Sequence, residues 1–235
     1  MKTMTKAVVS LMAVCLVMSA TTAGADEGFV ELRTSLVHSG DDGYAAISGS
    51  GAAAGLGLGV GYELTAIQGL RVLASYDGDG SMQQRFDGDV DALWTRNRLM
   101  ANMDYGVDIM DDFFRPLVRV GFGYSQQSLE MVTDDVRYRD IDHGLTGLAA
   151  GGLEFSIGRS ESRSTPLDRF SIGANLLLGY VWQSEASFDN MSSTGAPEEP
   201  TDDDPWPRGS YDAGSMQMSG FTWSMGASMR YQFGQ

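Results

Sequence analysis

Beyond residue 15 the 235-residue chain contains neither cysteine nor lysine. With Cys15 its only cysteine, the chain has no disulfide framework, and any stable fold must be closed by hydrogen bonds and packing. Its two lysines, Lys2 and Lys6, are also confined to the N-terminus. Past residue 25 that leaves fourteen arginines against thirty-one acidic residues, a net charge near −17. Such a balance argues against nucleic acid, whose binding is driven by basic charge, and fits solubility or salt adaptation. Long apolar runs are scarce as well. Residues 7–18 form one, too short to cross a bilayer as a helix, and mean hydropathy is slightly negative, so no helical membrane protein is expected.

The N-terminus reads as an export signal. Lys2 and Lys6 form a basic start, residues 7–18 an apolar centre, and Ala23-Gly24-Ala25 a small-x-small cleavage site. Residues 1–25 are therefore expected to be removed after Sec-type export, leaving a single domain over 26–235. A lipidated Cys15 is not expected, because the branched Val14 stands where a small residue is wanted.

What the chain does have is alternation. Phe221, Trp223, Met225, Ala227, Met229, Tyr231 and Phe233 are apolar, while Thr222, Ser224, Gly226, Ser228, Arg230 and Gln232 between them are small or polar. In a strand of period two these sets lie on opposite faces. Seven further segments repeat the pattern, near 28–37, 54–64, 70–76, 96–105, 118–125, 145–157 and 170–183. The cleanest alternates Ala54, Leu56, Leu58, Val60, Tyr62 and Leu64 with Gly55, Gly57, Gly59, Gly61 and Glu63. Eight segments of this length suit a bilayer crossing by tilted strands. Links 65–69, 108–114 and 158–168 are short, whereas 38–53, 77–91, 126–143 and 185–217 are longer. Short periplasmic turns and long outer loops are the asymmetry of outer-membrane barrels. The last loop gathers Pro197, Pro200, Pro205 and Pro207 among five acids and is expected to be mobile.

A soluble secreted barrel would turn its apolar face inward. Here the apolar face is ringed by aromatics at the strand ends: Tyr62, Tyr105, Phe155, Phe170, Tyr231 and Phe233 at one end, Tyr76, Tyr124, Tyr180, Trp182, Phe221 and Trp223 at the other. Such girdles belong at a lipid–water interface. The fold class read from the sequence is all-β, an eight-stranded antiparallel up-and-down transmembrane β-barrel, set in the outer membrane of a Gram-negative bacterium.

With these segments and the alternating end Tyr231-x-Phe233, the chain resembles the small eight-stranded outer-membrane barrels related to the transmembrane domain of outer-membrane protein A. The resemblance implies that outer-membrane lipid surrounds the barrel and that the barrel-assembly machinery recognises the C-terminal strand. It covers nearly all of 26–235 and points to no single member.

The inward face carries charge. Centring the first short turn on Ile67 pairs Glu63 with Arg71, and centring the second between Asp111 and Asp112 pairs Asp104 with Arg119. Closure brings Glu31 near Arg230. These three pairs are expected to brace the periplasmic half of the lumen, with Arg33, Arg96, Arg98 and Glu154 as further lumen charges. An eight-stranded barrel is just wide enough to be filled by side chains, so a plug is expected before a conduit.

Two histidines stand near the outer links. His38 precedes Ser39, Asp41 and Asp42, and His143 follows Asp142. A nucleophile–base pair must converge, but neighbours on a strand point to opposite faces, so polar histidines without catalytic work are expected. Asp77-Gly78-Asp79 and Asp87-Gly88-Asp89-Val90-Asp91 hint at calcium, yet neither run places glycine at the sixth and glutamate at the twelfth position of an EF-hand loop. Loose divalent binding by these loops is the remaining metal reading. The glycines of 55–61 precede no helix and make no phosphate loop. Taken together, the sequence describes a monomer without cofactor, metal or catalysis, with a structural or surface-interaction role, whose long acidic outer loops meet an unidentified surface ligand. A narrow channel for ions or small solutes is the alternative, and a lipid-modifying enzyme a more distant one.

Overall fold

A computed structural model describes residues 27–39, 52–64, 66–81, 84–86, 90–110, 113–132, 136–158, 169–194, 210–216 and 219–233. The export signal, the proline-rich part of the last loop, Asp41, Asp42, Asp87, Asp89 and the Asp111–Asp112 turn centre lie outside the described residues. Eight long strands follow the alternating segments: β1 Glu27–Ser39, β2 Ala52–Leu64, β3 Leu70–Ser81, β4 Val90–Gly106, β5 Phe114–Val132, β6 Arg137–Ile157, β7 Phe170–Gln183 and β8 Gly220–Phe233. Each pairs antiparallel with its chain neighbour, and β8 returns to β1 from Gly28↔Phe233 to Ser39↔Thr222, closing the expected up-and-down barrel.

The strands are strongly staggered. Stepping from Glu27 through its paired residues Glu63, Arg71, Asp104, Arg119, Ala150, Gly179 and Thr222 returns to β1 at Ser39, twelve residues from the start. With a rise of about 3.3 Å per residue and strands about 4.8 Å apart, that stagger tilts the strands by about 45° and gives a backbone radius of about 9 Å. A stagger of eight would give about 7.6 Å by the same geometry. The interior therefore has room for long side chains.

The first turn shows why the register holds. Ile67 N donates to Leu64 O at 3.2 Å and Leu70 N to Ile67 O at 3.0 Å. Gly69 sits at φ +83°, a conformation that disfavours any side chain, and a Cβ there would strike the Gly106 carbonyl. Glycine thus lets Gly106 N reach Gly69 O at 2.9 Å, fastening the turn to β4.

Three of the long outer links differ from the sequence reading. The 77–91 link is partly strand, because β3 runs on to Ser81 and β4 begins at Val90. The 126–143 link is almost wholly strand, since β5 and β6 stay paired from Gln126↔His143 up to Val132↔Arg137. Within 185–217, Met191–Thr194 adds to the edge of β6, Ser210–Tyr211 pairs with it, and Ala186–Ser187 pairs with Ser215–Met216. The reason is a reversal of polarity. Up to Tyr124 the outward positions of β5 are apolar, and the inward ones, Leu117 apart, are arginine or glycine. Above that level Leu129 and Tyr138 are buried inside, while Glu130, Arg137 and Arg139 lie on the outer face. A strand leaving lipid for water must invert its two faces, and a search for apolar-outward alternation ends at that boundary.

Candidate functional site

Odd residues of β1, β2, β3, β7 and even residues of β4, β6, β8 point inward, as do odd residues of β5. This parity assembles a lumen in which seven arginines meet seven acids: Arg33, Arg71, Arg96, Arg98, Arg115, Arg119 and Arg230 with Glu31, Glu63, Asp77, Asp79, Asp104, Asp108 and Glu154. The paired charges cancel, so the excess behind the chain's formal −15 lies outside these pairs.

The lower half is a connected network. Glu31 stands opposite Arg230 across the β1–β8 seam and accepts from its Nη2 at 3.1 Å. Glu63 stands opposite Arg71 and accepts from its Nε at 3.2 Å. Asp104 faces Arg119 and takes two short bonds, 2.7 Å from Nε and 2.6 Å from Nη2. The sequence reading put Glu154 among further lumen charges, but it is the hub. Its Oε1 accepts from Arg71 Nη1 and from Arg230 Nη1, each at 3.1 Å, joining β3, β6 and β8 across the barrel. Arg230 also lies over the buried Phe29 ring, 4.8 Å from its centroid. Arg115, unforeseen in the sequence, pairs with Asp108 and donates to Gly69 O at 2.6 Å, fastening the first turn. Its parity with Arg119 on one strand was the available signal.

A second charge cluster lies higher. Arg96 grips Asp79 with Nε at 3.0 Å and Nη2 at 2.8 Å, and Arg98 Nη2 reaches the same Oδ2 at 2.9 Å. Arg33 Nη2 meets Asp77 at 2.8 Å. Asp77 and Asp79 are thus inward strand residues held by guanidinium groups, and not part of an outer link that begins at residue 77. Among the described residues no group of three His, Cys, Asp or Glu side chains gathers as a metal site would need. Neutral side chains continue the cluster upward: Gln183 Oε1 accepts from Arg96 Nη1 at 3.1 Å, Gln183 Nε2 donates to Ser125 Oγ at 3.0 Å, and Trp94 Nε1 donates to Gln127 Oε1 at 3.3 Å.

Above these lies an apolar cap that the sequence reading missed. Trp94, Tyr138, Phe188, Ala186 and Met191 are completely buried, with Leu129, Val136 and Ala53 around them. Two hydrogen bonds fold the last loop into the cap: Phe188 N to Gly214 O at 2.9 Å and Ala213 N to Phe188 O at 3.0 Å. Asp142 holds it down by accepting from Ser187 N at 3.0 Å.

The outer face carries the girdles. Tyr105, Tyr124, Phe155, Phe170, Tyr180, Trp182, Phe221 and Trp223 are exposed on it, and Tyr62, Tyr76, Tyr231 and Phe233 half-buried. Phe170 meets Tyr231 at 4.8 Å, Tyr62 meets Phe233 at 6.5 Å, and Tyr180 meets Phe221 at 5.6 Å. Phe113 and Phe114, absent from the sequence reading, join Phe155 at 6.1 and 5.2 Å. Both histidines belong to strands instead of loops. His38 packs on Trp223 and His143 stacks on Tyr124, each at 5.7 Å, so each ring extends the upper girdle.

Three comparisons place the chain among known proteins. It is similar to the Neisserial surface protein A structure, at 11% identity and a TM-score of 0.48, over 89% of this chain and 98% of that one. It is also similar to a major outer membrane protein from Thermus thermophilus, at 12% identity and a TM-score of 0.49, over 89% and 100%. A third similar structure is the attachment invasion locus protein of Yersinia pestis, at 14% identity and a TM-score of 0.43, over 88% and 99%. No curated protein matches. The model of the outer membrane protein β-barrel domain matches residues 7–175, well over half of the chain. With that match and the closed eight-stranded barrel, the chain belongs to the outer membrane protein β-barrel domain family and resides in the outer membrane.

Proposed function

We propose that this protein is a non-conducting, non-catalytic membrane scaffold that holds an acidic surface outside the cell. The observation that carries this reading is the double closure of its interior: the Glu154 network below and the buried Trp94–Tyr138–Phe188 cap above. An open ion path needs continuous polar, hydrated space, and a layer of fully buried aromatic and aliphatic side chains interrupts it. The balanced lumen leaves the acid excess to other parts of the chain, and the last loop, whose described part forms the cap, is the contact surface for an unidentified surface ligand. Outer-membrane lipid surrounds the barrel, which works as a monomer after Sec-type export, and β8 presents Tyr231 and Phe233 to the barrel-assembly machinery. Both histidines packing on girdle aromatics supports a role without catalysis.

The test is planar-bilayer conductance of refolded protein, with heat-modifiable gel migration reporting that the barrel has formed. A folded and silent barrel is expected. Steady single-channel steps would overturn the reading in favour of a narrow channel for ions or small solutes.

A further inference from the structure

Thioethers are unevenly placed in this barrel. Met103, Met225 and Met229 stand on the lipid-facing wall, and Met100 is buried in the lumen. Met110 is exposed at the second short turn, on the periplasmic side. The cap holds three more, and burial separates them. Met191 is fully buried in its core, whereas Met131 and Met216 are half-buried and pack against that core from the rim. Among the described residues, these two are the methionines that meet water outside the cell.

Both rim methionines sit at joints of the cap. Met131 stands opposite the buried Tyr138, where β5 and β6 rise above the membrane. Met216 stands opposite the buried Ala186, in the two-residue ladder that closes the last loop on itself. What each gives the cap is apolar contact. A thioether is the apolar side-chain group that a mild oxidant turns polar.

We propose that Met131 and Met216 form an oxidation latch that releases the last loop. The oxidant is a hydroperoxide. Its O–O bond breaks, one oxygen joins the sulfur as a sulfoxide, and the other leaves as water, the sulfur giving up two electrons. The new oxygen is polar, so burying it against the cap core is costly and the packing is forfeited. The loop then detaches and uncovers Met191, whose oxidation follows that of the rim. The barrel below holds, because the Glu154 network contains no thioether. Enzymatic reduction of the sulfoxides restores the cap.

The full chain past the export signal would be refolded into phospholipid nanodiscs and treated with hydrogen peroxide. Peptide mass spectrometry is expected to find sulfoxide first at Met131 and Met216, and only later at Met191. Proteolysis within 185–217 should accelerate about tenfold, since cleavage tracks the open population, while heat-modifiable gel migration stays unchanged. Methionine sulfoxide reductases of both stereospecificities should reverse the acceleration. The Met131→Leu, Met216→Leu double variant keeps the apolar volume and removes both sulfurs. In that variant peroxide should change neither the proteolysis rate nor Met191. Unchanged proteolysis of the unaltered chain with both rim sulfoxides formed would overturn the proposal, and so would equal peroxide sensitivity in the double variant. Should the variant fail to fold, the time course on the unaltered chain decides. Loss of protease resistance in step with the rim sulfoxides supports the latch, and loss without them refutes it.

Discussion

The same strands enclose two regions built on opposite rules. Within the membrane, β5 turns Val118, Val120, Phe122 and Tyr124 to lipid and keeps Arg119, Gly121, Gly123 and Ser125 inside. A few residues higher it buries Leu129 and shows Glu130 to solvent, and its partner β6 buries Tyr138 between Arg137 and Arg139. The lower region is a charged interior in an apolar coat, and the upper one an apolar interior in a charged coat. Their boundary, near Gln127, marks where the strands leave the bilayer. Neither interior is held by the hydrophobic effect alone or by ion pairs alone, because each region must satisfy whatever its own coat leaves inside.

Removing a keystone from the lower region should have the largest effect. Glu154→Ala leaves Arg71 and Arg230 without their shared acceptor and is expected to cost about 3–5 kcal/mol, the usual penalty for a broken buried pair. Urea titration read by heat-modifiable gel migration would check it, and a loss under 1 kcal/mol would show that the network is dispensable. Next comes the upper region. Phe188→Ala should cost about 3 kcal/mol, confined to the cap. Limited proteolysis should then cleave within 185–217 while gel migration of the barrel stays unchanged. Loss of both together would mean that cap and barrel fold as one unit.

The boundary itself predicts opposite responses to charge on one outward face. Val120→Arg, in the lipid coat, is expected to cost about 2–3 kcal/mol, whereas Glu130→Leu should change stability by under about 0.5 kcal/mol. Equal costs measured by the same titration would move the boundary away from Gln127. Within the lower region, the pairwise test is the coupling between Asp104 and Arg119. A double-mutant cycle to alanine should give about 1–2 kcal/mol, since the two share two short hydrogen bonds at 2.6 and 2.7 Å. Zero coupling would mean that the pair braces nothing.

Much of the lower region was legible in the sequence, because period two fixes which face each residue takes and a short symmetric turn fixes register. Counting outward from Ile67 places Glu63 against Arg71, and counting outward from the second turn places Asp104 against Arg119. What counting along hairpins does not reveal is contact across the lumen. Glu154 joins strands that are not neighbours, and its role depends on how far twelve residues of stagger raise one wall against another. The cap was illegible for a different reason. Leu129, Tyr138, Phe188 and Met191 follow the polarity of a water-exposed sheet, so they look like loop residues to a search tuned to lipid.

The seam between β1 and β8 carries a consequence for the order of assembly. Every other strand pair is joined by one link of the chain, whereas Glu31 and Arg230 are 199 residues apart. Contacts so distant in sequence bear the greatest loop-closure entropy and form after the local hairpins. Arg230 therefore receives its Glu31 partner only when the first and last strands meet, and until then its guanidinium lacks that carboxylate. The pair is a chemical record that the cylinder has shut, so its formation, followed by a probe at β1 or β8, would time the last step of the barrel's birth.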